Sequence, residues 1–85
     1  MPTEPIDTGE LIRRIGERLW GDRWQAAMSA ELELNDRTVR RLASGRQAPR
    51  ASLLEQLAAM IAERRDELND LHAVITAYLE RSRDP

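Results

Sequence analysis

From Arg50 to Arg83 the chain contains neither glycine nor proline. Within that stretch Leu54, Leu57, Ile61, Leu68, Leu71, Ile75 and Tyr78 recur at alternating spacings of three and four. This is the rhythm of a heptad seam along a helix, interrupted at Arg64. Two organisations fit it. Arg64-Arg65 followed by Asp66-Glu67 suits the end of one helix and the start of another, by dipole preference. The seam, interrupted only at Arg64, and the absence of breakers favour a single helix at about 51–82, and that is the expectation adopted here. At about 1.5 Å per residue such a helix is nearly 50 Å long, more than a small domain can cover. Leu68, Leu71, Ile75 and Tyr78 then need another surface, and a second copy of the chain is the simplest one. The expectation is a homodimer joined through these four residues.

The rest of the chain sets the scale. Its 85 residues suffice for one small domain, and domains of this size often draw stability from a partner chain. Cysteine is absent and His72 is the sole histidine, so thiolate zinc sites, disulfides and multi-histidine metal ligation are excluded. No cofactor is expected. No apolar run approaches the roughly 18 residues of a membrane helix. The opening Met1-Pro2-Thr3-Glu4-Pro5 has neither the charge nor the apolar core of a signal peptide. A cytoplasmic protein that engages no membrane is expected. Catalysis is not: Ser29, Ser44, Ser52 and Ser82 have no companion base, His72 stands alone, and no glycine-rich phosphate loop is present.

Local signals divide residues 7–50 into three short helices. Asp7 with Glu10 reads as a capping box, and Leu11, Ile12, Ile15 and Leu19 follow at helical spacing to Gly21. The first helix is therefore placed at about 8–20, behind a flexible lead-in over 1–7. Asp22 with Gln25 is a second capping-box candidate, opening a helix at about 23–32. Asn35 is a favoured N-cap for a third helix at 36–44, which buries Val39 and Leu42 and ends at Gly45. Trp20 and Trp24 flank the first corner and are expected to pack in the core. The fold class that results is all-α, a small bundle of four to five helices with a long C-terminal helix.

The net charge of −2 conceals a pattern. Residues 1–12 sum to −3, residues 13–50 to +4 and residues 51–85 to −3, and every basic residue is arginine. The positive charge is confined to the middle of the chain, and such asymmetry says more than the total. Within it, the segment QAAMSAELELNDRTVRRLASG from Gln25 to Gly45 has the parts of a helix-turn-helix: a short helix, a three-residue turn and a second short helix. Ser29 is small where the second helix passes close, and Leu34 can pack inward after the turn. The outer face of the second helix then holds Asp36, Arg37, Arg40 and Arg41. A major groove admits one helix, and arginine can bond guanine O6 and N7 together.

On these residues the chain resembles the lambda-repressor-like, Cro-type (XRE-like) helix-turn-helix family over roughly 10–62. Gln25 matches the glutamine that often opens the first motif helix. Asn35-Asp36-Arg37-Thr38-Val39 matches the polar start of the recognition helix. Gly45 with Pro49 matches the exit, and Leu53, Leu54 and Leu57 match the leucines that close the core. The chain departs from the pattern at Glu33, where the family usually has a glycine in the turn. It also has Leu42 where an aromatic is common, and its breaker-free tail replaces the family's short last helix.

The resemblance implies roles. Arg37, Arg40 and Arg41 would read bases or adjoining phosphates. Gln25, Thr38, Arg46 and Arg50 would hold the phosphate backbone. Asp36 would either read a cytosine amino group or serve as dipole partner to its own helix start. Gln25 would cap its helix, contact phosphate, or both. The implied protein is a dimeric, sequence-specific repressor on a pseudo-palindromic DNA operator. It would have a DNA-binding domain at 8–62 and a dimerisation extension at 63–85, as in phage or mobile-element regulators. The alternative is an antitoxin-like interaction module that binds another protein through its acidic C-terminal helix.

Overall fold

The structure is a computed structural model and describes residues 7–83. The expected lead-in, Asp7 apart, lies outside the described residues. The architecture is all-α: α1 (Thr8–Trp20), a single 3₁₀ turn (Gly21–Arg23), α2 (Trp24–Glu31), α3 (Asp36–Ser44) and α4 (Ala51–Arg83). The chain divides into two compact units at the Leu54–Glu55 junction.

In the first unit α1 packs on both α2 and α3, and α2 packs on α3. Its starts and stops follow from local chemistry. The Asp7 carboxylate accepts from the Gly9 amide and caps α1, while Asn35 does the same for α3 through the Arg37 amide at 2.8 Å. These bonds satisfy donors that a helix start leaves unpaired. The expected Asp22–Gln25 capping box does not form. Asp22 lies inside the 3₁₀ turn, and α2 begins with no side-chain cap. The turn supplies the partner instead: the Trp24 amide donates to the Gly21 carbonyl. Trp24 is thereby delivered into the core, whereas Trp20 is only half-buried.

Ile12, Leu19, Trp24, Met28, Val39, Leu42 and Ala43 make the buried core of this unit. Two glycines permit its close approaches. A Cβ on Gly9 would stand 2.7 Å from the Ala43 carbonyl oxygen, and one on Gly16 would stand 2.2 Å from the Trp24 ring. No buried side-chain nitrogen or oxygen lacks a partner among the described residues.

The second unit is the body of α4, which runs unbroken through Arg64–Asp66. Nothing in that helix removes a backbone donor, so the charge pair at its middle does not end it. Leu57 is its buried residue. Beyond it the apolar side chains are open: Leu68, Leu71, Val74, Ile75, Tyr78 and Leu79 are between 49% and 65% exposed. No helix among the described residues is long and apolar enough to cross a membrane.

Candidate nucleic-acid interface

α3 has two chemically distinct faces. Val39, Leu42 and Ala43, at helical spacing, are buried. Arg37, Arg40 and Arg41, on the complementary positions, are exposed, as is Asp36 in the first turn. Burial of one stripe forces the other outward, so the core itself aims the arginines. Ion pairs among the described residues are Arg14–Glu10 and Arg65–Asp66, and none involves an arginine of α3. Five arginines and one acid, Asp36, lie between Asn35 and Arg50. Arg46 in the loop and Arg50 just before α4 are likewise exposed and form no ion pair among the described residues.

The turn between α2 and α3 is tightly held. The Leu34 amide donates to the Ser29 carbonyl at 2.9 Å, and the Ser29 hydroxyl donates back to the Leu34 carbonyl. This reciprocal pair is why a small hydroxyl residue serves at Ser29. The turn passes through Glu33 at φ 53°, the one non-glycine residue with positive φ among those described. The other end of α3 uses the same device with a residue suited to it. Gly45 is left-handed at φ 80°; its amide donates to the Leu42 carbonyl and the Arg46 amide to the Arg41 carbonyl. That is a Schellman ending, and only glycine enters it without strain.

Gln25 is exposed at the second position of α2 and makes no capping bond. Thr38 is half-buried, and its hydroxyl has no protein partner among the described residues. Gln25, Asp36, Arg37, Arg40, Arg41, Arg46 and Arg50 all belong to the first unit and all face solvent. Leu68, Leu71, Ile75 and Tyr78 lie on α4 in the second unit and are exposed in the single chain.

Sequence reasoning missed one arginine with a structural task. The Arg13 guanidinium donates to the Ala43 carbonyl at the end of α3. It satisfies an acceptor that the helix terminus leaves open, and its charge complements the helix dipole there. A clue was present: Arg13 follows the apolar pair Leu11-Ile12 on α1, four residues after the glycine that touches α3. The described residues hold no cluster of His, Asp or Glu arranged to bind a metal. No family model, curated protein or solved structure matches this chain.

Proposed function

We propose that this protein is a sequence-specific DNA-binding transcriptional regulator, most simply a dimeric repressor, that presents α3 to the major groove. One observation carries the reading: a nine-residue helix buries Val39, Leu42 and Ala43 and leaves Arg37, Arg40 and Arg41 outward, free of ion pairs among the described residues. Three arginines on one exposed stripe have a poor rationale in a purely structural helix, since they repel one another. Against a phosphate-lined groove they gain charge-assisted bonds, and the fork of each can grip a guanine edge. Arg46 and Arg50 extend the positive surface toward the backbone. Gln25 and Thr38 complete the backbone contacts, with Asp36 at the helix start. The small helix-turn-helix bundle and the cytoplasmic setting belong to the same proposal. No ligand-sensing or catalytic role is assigned, so occupancy of the operator would itself be the output.

The test is binding of the purified chain to the DNA upstream of its own coding region, against scrambled DNA of equal length. Selective binding by two chains per site supports the reading. A flat response to salt overturns it, because neutralising several phosphates makes affinity fall by orders of magnitude between low and moderate salt. A second reading rests on the exposed apolar stripe of the acidic α4: a module that binds another protein, as an antitoxin does. It predicts binding that survives loss of Arg40 and Arg41 together and fails on Leu71→Asp.

A further inference from the structure

We infer that two copies of α4 pair antiparallel, in one register, with the twofold axis beside Val74. The inference rests on the dimeric reading above and specifies its geometry. On the seam, Leu68 and Ile75 occupy one of the two core positions of the heptad, and Arg64, Leu71 and Tyr78 the other. Glu67, Val74 and Arg81 then flank the seam on one side, and Arg65, His72 and Leu79 flank the other.

Charge decides the orientation. A parallel pair stacks each residue on its own copy, so Arg64 would meet Arg64 of the other chain inside an apolar seam. Two like charges held together and desolvated are strongly unfavourable. An antiparallel pair sets one core position against the other. In the register centred near residue 73, Leu68 meets Tyr78, Leu71 meets Ile75, and Arg64 meets Ser82 at the open end. The flank of Val74 agrees: Val74 faces Val74 across the axis and Glu67 faces Arg81 at both ends, while on the other flank His72 faces His72 and Arg65 faces Leu79. Sliding by one heptad half-step puts Arg64 against Ile75 and Glu67 against Val74, losing both matches. Among the described residues of the single chain, Arg81 lies over the Tyr78 ring, 5.9 Å from its centroid, and neither Arg81 nor Glu67 forms an ion pair.

The size is consistent with a dimer of modest affinity. The six apolar side chains between Leu68 and Leu79, each about half exposed or more, offer on the order of 600 Å² per copy, where exposed patches begin to mark interfaces. Two copies would bury about 1,200 Å², the lower end of specific protein pairs.

The chain has no cysteine of its own among the described residues, so introduced thiols report cleanly. Full-length Leu68→Cys and Tyr78→Cys chains are prepared separately and then mixed under mild oxidation. These side chains are exposed in the single chain, so folding is not at stake, and circular dichroism verifies it. The mixture should form the mixed disulfide dimer in preference to either protein alone. Self-linking of each variant as strong as the mixture overturns the orientation while leaving a dimeric regulator standing. A chain that sediments as a monomer even when concentrated overturns the pairing itself, and DNA binding is then judged by its own assay. A charge swap supplies the second test. Arg81→Glu should weaken dimerisation roughly tenfold, counting two symmetric pairs turned repulsive. Adding Glu67→Arg should restore it. A double variant no better than the single one counts against the register.

Discussion

Gly16 of α1 lies directly against the Trp24 ring of α2, and Gly16→Ala tests the packing of the first unit. A Cβ there would lie 2.2 Å from Trp24 Cε3, 2.4 Å from Cδ2 and 2.9 Å from Cγ. Carbon atoms rest at about 3.5–4 Å from one another, so the ring would have to retreat by more than about 1 Å. Trp24 has little room to do so, being 6% exposed. Forcing an extra carbon into a filled core costs about 1–3 kcal/mol, and a rigid ring in place of a flexible side-chain end places this case near 3. Alanine favours a helix interior over glycine by about 1 kcal/mol. The net expectation is a loss of about 2 kcal/mol. For a domain of this size that lowers the melting temperature by roughly 8–15 °C. Both tryptophans lie in the first unit, so a thermal scan followed by intrinsic fluorescence reports its unfolding apart from the body of α4. Trp24→Leu in the Gly16→Ala background should recover part of the loss relative to additivity, since the shorter side chain makes room. A Gly16→Ala protein as stable as the parent, or more so, would refute the close approach of α1 and α2.

Other substitutions probe the turn, the core and the arginine face. Glu33→Gly should raise stability by about 0.5 kcal/mol: relief of the left-handed backbone is worth about 1 kcal/mol, and the greater freedom of glycine in the unfolded chain offsets about half of it. A lowered midpoint in a urea titration would contradict the strain at Glu33. Met28→Ala should cost about 3 kcal/mol, because the side chain is fully buried and its loss leaves a cavity; a urea midpoint close to the parent's would argue against its place in the core. On the proposed function, Arg41→Ala should weaken binding to the cognate site roughly ten- to a hundredfold and spare random DNA, whereas Arg46→Ala should weaken both alike and reduce the salt slope. Equal losses on the two DNAs for Arg41→Ala, read by fluorescence anisotropy, would reassign it to phosphate.

What the sequence displayed was chiefly what neighbouring residues decide. Asp7, Asn35 and Gly45 act on the helix termini beside them, and Val39 with Leu42 needs only the helical period to face inward. The outward placement of Arg37, Arg40 and Arg41 follows from that same period. What stayed hidden depends on contacts between elements. Gly9 and Gly16 read as weak helix formers until α3 and the Trp24 ring are known to lie against them. Met28 sits among alanines, where its neighbours give no sign that one position is fully enclosed. The Asp22–Gln25 cap was displaced because a 3₁₀ turn met the same backbone need and also aimed Trp24 inward. The seam of α4 keeps one phase along the helix, Arg64 apart, yet only Leu57 is buried; periodicity marks an apolar face and does not say how much of it one chain covers.

The Arg41 carbonyl receives the Ser44 hydroxyl and the Arg46 and Gln47 amides at 3.0–3.3 Å. Helix ends ordinarily open and close with little free-energy cost. This one can fray only by surrendering several bonds in concert, so the Arg46 and Gln47 amides should exchange their hydrogens slowly for residues in a loop. The backbone beneath the arginines is then already still before any ligand arrives. In the proposed complex with DNA, ordering would fall chiefly on the side-chain torsions of the arginines themselves.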